Sequence, residues 1–178
     1  MSVKVIGVDP ATWGLTYVLL DAVTQRLLRV GEVCCQDSDQ TATHRLMLLT
    51  GKLDKLCTVF DDVSCVYIEQ QPQHSGKAKQ VAHWVGAFCA SRGVRVRYVQ
   101  PKEKYTGRFH CVDMSTLSGH TAYMRKKQAR LWMERELPST LADGAVVQVE
   151  RSTMADVGDA VAIAAAGCAL DRHDGVAV

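Results

Sequence analysis

Two apolar runs, Val3–Val8 and Cys65–Ile68, each end on a carboxylate, Asp9 and Glu69, and an amphipathic segment lies between them. This arrangement constrains the fold more than any other feature of the 178-residue chain. Short apolar runs bounded by turn signals read as buried strands. Leu46, Leu49, Leu53, Leu56 and Phe60 recur at helical spacing from about Thr43, and Asp61-Asp62 separates that helix from the second run. A helix between two strands suggests a crossover that leaves them parallel. If the two strands are neighbours, Asp9 and Glu69 emerge at the same carboxyl edge, where sheets flanked by helices bind ligands.

The remaining pattern extends this frame. Thr16–Leu20 and Leu27–Cys34 follow the first run through short links, which favours an antiparallel meander. Pro10 is expected to stop the first strand, with Gly14 marking a turn. Lys77–Arg92 reads as a helix capped by Gly93, and Val94–Val99 as a fifth strand. Residues 101–120 show no clear period, and a long stretch without an element is often functional. Thr121–Leu137 reads as a basic helix stopped by Pro138, and Ser139–Arg151 as loop with one short strand at Ala145–Val149. A final Ala-rich helix runs from about Thr153 to Leu170. No repeat or linker interrupts this, so a single domain spanning 1–178 is expected.

Composition excludes several classes. Hydrophobic residues make up 47% and charged residues 22%, as in soluble globular proteins. No apolar stretch approaches the roughly 18 residues a membrane span requires. The chain opens directly on a strand-like segment, so no signal peptide is expected. The seven cysteines are odd in number, include no CxxC, and lie mostly within apolar patterns. They point to an intracellular, reducing compartment without a disulfide framework. His110, Cys111 and His120 fit no standard zinc spacing.

Chemistry concentrates in four acids. Besides Asp9 and Glu69, Asp156 and Asp159 stand three apart near the start of the last helix and share one face. Carboxylates beside apolar segments are costly unless something pairs with them. A convergent set would hold divalent ions such as Mg²⁺, and two such ions can steady the attacking and leaving oxygens of a phosphodiester. Each acid also has a plainer reading. Asp9 could be a turn residue before Pro10, and Asp156 could cap its helix in Thr153-x-x-Asp156. The small residues Ala160, Ala162, Ala164, Ala165, Ala166 and Gly167 permit close approach of helix to sheet, which packing alone could explain.

The net charge of +2 hides an asymmetry. Between Gln73 and Arg135 there are thirteen Lys and Arg against three acids; elsewhere there are eight against sixteen. Such a split suits a protein that holds cations at one place and phosphates around it. Lys77, Lys79, Lys102, Lys104, Arg108, Arg125, Lys127 and Arg130 are candidate DNA contacts, with Tyr105 a candidate for base stacking. A solvated basic face is the alternative.

In their order along the chain, IGVDPATWG, VYIEQQ, the basic helix and ADVGDAVAIAAAG resemble the RuvC-type Holliday junction resolvases, over about Val3 to Leu170. The resemblance implies an α/β, ribonuclease H-like fold with a central mixed five-stranded sheet flanked by helices. It implies a homodimer that cuts opposing strands of a four-way DNA junction with Mg²⁺ or Mn²⁺, two ions per site, leaving ligatable nicks. Asp9, Glu69, Asp156 and Asp159 match the family's metal-binding acids. Lys126 matches its catalytic Lys, because Gln128 completes K-x-Q, and Lys127 is the alternate. Two positions depart: Ala11 stands where bacterial members have Gly, and Pro72 where they place an aromatic wedge. Another ribonuclease H-like nuclease, or a non-catalytic nucleic-acid-binding module, are the competing readings.

Overall fold

The computed structural model describes residues 2–35, 41–60, 62–104, 108–109, 112–113 and 122–176. Strands β1 (Lys4–Ala11), β2 (Gly14–Asp21) and β3 (Arg26–Cys34) form the expected meander. Helix α1 (Ala42–Lys55) and a single turn, α2 (Cys57–Phe60), cross over to β4 (Cys65–Glu69), which pairs in parallel with β1. Helix α3 (Gly76–Ser91) leads to β5 (Val96–Val99), parallel to β4. Gly93, at φ +76°, ends α3: its N–H and that of Val94 return to Ala90 and Cys89. A two-stranded hairpin, β6 (Arg108–Phe109) with β7 (Val112–Asp113), precedes α4 (Ala122–Thr140), β8 (Leu141–Gln148) and α5 (Met154–His173).

The main sheet has six strands, in the order β5-β4-β1-β2-β3-β8, and not five. The sixth is β8, which lies along β3 in parallel and occupies most of the expected loop. Its sequence, LADGAVVQ, carries a Gly at φ +76° and a break in register between Leu27 and Arg29 of β3. That irregularity obscures the two-residue period by which an edge strand is read. β1 also runs through Pro10, pairing Ala11 with Gly14 around a two-residue turn. A Cβ on Gly14 would sit 1.9 Å from the Val33 carbonyl oxygen, so only Gly fits. Pro138 lies inside the last turn of α4 without ending it. There, Ser139 and Thr140 hydroxyls donate to the carbonyls of Glu136 and Leu137.

The sheet is sandwiched between two helical layers, and strand parity assigns each residue a layer. Ile6, Val8, Val66 and Ile68 face α1 and α3, with Leu49, Leu53, Phe60, Val81 and Val85. Val5, Cys65 and Tyr67 face α5, with Val157, Ala160, Ala164 and Met133 of α4. Asp9 and Glu69 continue this second set at the period of two, so both project toward α5. That helix lies unusually close. A Cβ on Gly7 would meet the Ala160 carbonyl oxygen at 2.1 Å, and one on Gly167 would meet the Tyr67 ring at 2.1 Å. The small-residue face of α5 is therefore required by contact with β1 and β4.

Candidate active site

The site forms where the carboxyl ends of β1 and β4 meet the N-terminus of α5. Val8 pairs with Ile68, so Asp9 and Glu69 are the next residues on adjacent parallel strands. α5 runs back over them: Ala160 sits on Gly7, while Asp171 near its other end bonds Tyr67. Asp159, one residue before Ala160, is thereby carried to the two strand ends.

The start of α5 is fixed from the sheet. Thr16, opposite Asp9 on β2, bonds the Ser152 hydroxyl at 2.6 Å. Glu32, opposite Thr16 on β3, accepts the backbone N–H groups of Arg151 and Ser152. Burial alone would raise the Glu32 carboxyl, but those bonds hold it below its ordinary value. Thr153 then caps the helix.

A buried ammonium lies among the acids. Lys104 Nζ is 2.9 Å from Asp159 Oδ2 and 3.1 Å from Glu69 Oε1, and only 5% of the residue is exposed. A tight turn after β5 delivers it: Glu103 and Lys104 N–H groups return to Gln100, and the Glu103 carboxylate accepts the Gln100 N–H. Gln71 donates to Glu69 Oε2 from the other side.

Electrostatics separate the two strand-end acids. Burial pushes the Asp9 carboxyl well above its usual range; Lys104 opposes this, while the Asp159 and Glu69 charges add to it. Burial also acts to raise Glu69, but the Lys104 charge and hydrogen bonds from Asp9, Lys104 and Gln71 hold it below its ordinary value.

The expected residues fall into distinct places. Asp9, Glu69 and Asp159 converge. Asp156, half-buried at the first turn of α5, accepts the Thr153 N–H and hydroxyl at 2.8 Å each, completing a capping box. Lys104, expected among the DNA contacts, is instead enclosed by carboxylates. Its place in an aperiodic stretch hid this; only the short spacing from the end of β5 hinted at it. Lys77, Lys102, Lys127 and Arg130 are exposed and Lys79 is half-buried. Arg130 pairs with Glu134 at 2.7 Å. Arg125 and Lys126 belong to α4, and Arg108 to β6, but their side chains, like Tyr105 and residues 110, 111 and 120, lie outside the described residues.

Among the described residues, no three His, Cys, Asp or Glu side chains are already gathered as ligands of one ion. The donor chemistry nonetheless fits a hard cation. Three carboxyl groups could supply oxygen ligands, and the Lys104 ammonium stands against two of them as a positive charge.

No protein-family model matches the chain, and no curated protein matches its sequence. Solved structures do. RuvC of T. thermophilus, in complex with a Holliday junction substrate, matches with a TM-score of 0.63 over 97% of this chain and 96% of that one, at 17% identity. The yeast mitochondrial Holliday junction resolvase Ydc2 matches with a TM-score of 0.56, over 97% and 83%, at 11% identity. The fold is that of the RuvC-type resolvases. Within this ribonuclease H-like sheet, the strand-end and helix-start carboxylates occupy one edge, and no helix among the described residues is long and apolar enough to cross a membrane.

Proposed function

We propose that this protein is a metal-dependent endonuclease that resolves four-way DNA junctions by hydrolysing phosphodiesters in opposing strands. The observation that carries the reading is the convergence of Asp9, Glu69 and Asp159 at one edge of the sheet, against the start of α5. Mg²⁺ or Mn²⁺ would be held there by these three acids, with Asp156 joining when it leaves its cap; two ions complete the proposal. Bound divalent ions supply charge stabilisation and an activated water for phosphodiester hydrolysis.

The chain's own residues prepare that chemistry. The start of α5, tied to the sheet through Thr16 and Glu32, sets Asp159 against the strand ends. Lys104 keeps Glu69 charged. Lys126 is proposed to stabilise charge developing on the phosphate. The exposed Lys77, Lys102, Lys127 and Arg130, with Lys79, Arg108 and Arg125, would contact phosphates, and Tyr105 would stack on a base. A branched substrate is supported by the junction-bound RuvC, whose fold this chain shares.

Two opposing cuts call for a homodimer, which a two-fold axis provides. The proposed interface is α3. Its Trp84 and Phe88 are half-buried against their own core, Phe88 edge-on to Phe60 at 6.3 Å, so the exposed His83, Ala87 and Ala90 complete that face. Wild type is expected to sediment as a dimer; a folded monomer at micromolar concentration would refute this part.

The deciding experiment compares cleavage of a four-way junction, a fork, a linear duplex and an RNA–DNA hybrid, with Mg²⁺ and with EDTA. Paired, metal-dependent nicks in the junction are expected. Preference for the fork or hybrid would move the function to another nuclease of this fold. Junction binding with no cleavage of any substrate would make the chain a binding module.

A further inference from the structure

Among the described residues of the Gln73–Arg135 segment, Lys104 is the one basic side chain buried against the site acids. Its ammonium contacts two of the three carboxylates that converge there, at 2.9 and 3.1 Å, and its side chain is 7% exposed. Burying an ammonium is costly, and only close counter-charges offset the cost. Those counter-charges are here the oxygens that would ligate a metal. An ammonium and a dication cannot share the same oxygens at contact distance without strong repulsion.

We infer that Lys104 is a resident counter-ion of the metal site: it holds Glu69 and Asp159 assembled before metal arrives, and its ammonium must withdraw from them for an ion to bind. The inference rests on the metal-site reading above and goes beyond it, because it assigns Lys104 to the metal-free state. Two further features support it. Lys104 sits at the end of a turn held by Gln100 and Glu103, outside any long element. Its four-carbon stem can therefore swing without moving the sheet. Gln71 also holds Glu69, so Glu69 keeps a neutral donor when the ammonium leaves. Lys104 is accordingly a positioning residue that opposes metal binding while preserving the site in its absence.

The test uses the full chain without DNA. Mn²⁺ uptake is titrated by paramagnetic resonance of the free ion for wild type, Lys104→Gln and Lys104→Arg. Removing the competing charge should tighten Mn²⁺ binding by about tenfold or more in Lys104→Gln. Lys104→Arg should stay as weak as wild type. In EDTA, Lys104→Gln should melt below wild type, and Mn²⁺ should raise its midpoint by more. Should Lys104→Gln not fold, the wild type alone decides. Acetic anhydride labelling of Lys104, read by mass spectrometry, should be slow in EDTA and several-fold faster in Mg²⁺. Equal or weaker Mn²⁺ binding by Lys104→Gln, or labelling unchanged by Mg²⁺, overturns the inference and leaves the metal site standing. If neither wild type nor Lys104→Gln takes up Mn²⁺, the metal-site reading itself falls, and the inference with it.

Discussion

Helix α5 carries a buried charge cluster at each end, and the two are built on opposite principles. At its C-terminal end, the fully buried Asp171 accepts from Tyr67 on β4 and from Arg95 and Arg97 at β5, and Arg97 also pairs with Asp174 at 2.7 Å. One carboxylate there has three donors. At the N-terminal end, among the described residues, the Lys104 ammonium contacts Glu69 and Asp159. Burial would raise Asp171, yet its hydrogen bonds from Arg95, Tyr67 and Arg97 hold it below its ordinary value; at the other end burial drives Asp9 up, and the Lys104 charge opposes this only in part. A balanced cluster locks helix to sheet. The acid-rich one, held in place by the same helix, is the site at which cation binding is proposed.

The largest test of this contrast exchanges the two ends. Asp9→Asn should lower junction cleavage by about a thousandfold or more, because several kcal/mol of charge stabilisation are lost. Its fold should persist, since the amide is nearly isosteric and removes a carboxyl already reluctant to ionise. Asp171→Asn should do the reverse. It strands two arginines around a buried amide and should cost about 3 kcal/mol of stability, read by urea unfolding. Cleavage by the fraction that remains folded should hold near wild type. Equal loss of stability in both variants would erase the distinction.

The contact that joins the two clusters can be probed next. Gly7→Ala would drive a methyl into Ala160 and Ala164, lifting α5 from β1, at a cost of about 1–3 kcal/mol. Because Asp159 travels with α5, cleavage should fall beyond what stability explains. Gly51→Ala in α1 is the control: its Cβ meets nothing within 4 Å, and the change should stabilise by about 0.5–1 kcal/mol. Parallel urea melts and cleavage rates check both.

This geometry shows which parts of the chain were legible as sequence. The strand-end acids were, because Val5–Val8 and Cys65–Ile68 are buried on both faces and read as apolar runs. The placement of Asp159 was legible in outline from the Ala and Gly residues that follow it. Edge strand β8 was less so: with one neighbour and one kink, it lacks the burial that writes a period into sequence. Lys104 reads from sequence as one of a run of candidate DNA contacts, because charge runs say nothing of depth. Only the β5 turn, closed by Glu103 on Gln100, turns it inward. Asp156 kept both of its readings, since one carboxylate can cap a helix and stand near a ligand site.

A smaller effect follows from acid. Asp171 is held below the ordinary carboxylate value of 3.8, so the folded state binds fewer protons than the unfolded state as pH drops through that region. Its contribution to stability is complete above that value and is lost as pH falls toward the lowered folded value. Urea midpoints of wild type should therefore decline below about pH 4, and Asp171→Asn should show a shallower decline. Asp174, lowered by its bonds from Arg97 and His173, acts in the same direction, so some slope should remain. Identical acid limbs in the two proteins would place the acid sensitivity elsewhere.

The smallest effect carries the contrast to the basic helix α4. Arg130 is balanced by Glu134 one turn away, whereas among the described residues Lys127 makes no ion pair. A paired guanidinium must loosen its carboxylate before it neutralises a phosphate, and the carboxylate repels that phosphate. Lys127→Ala should therefore weaken junction binding and flatten the plot of log affinity against log salt by about one unit. Arg130→Ala should flatten it by less, and Glu134→Gln should strengthen binding at low salt. Gel shifts in EDTA across a salt series measure all three without cleavage intervening. If Arg130→Ala has the larger slope change, pairing within α4 does not decide which cations meet DNA, and the helix face presented to phosphate is set by geometry instead of local charge balance.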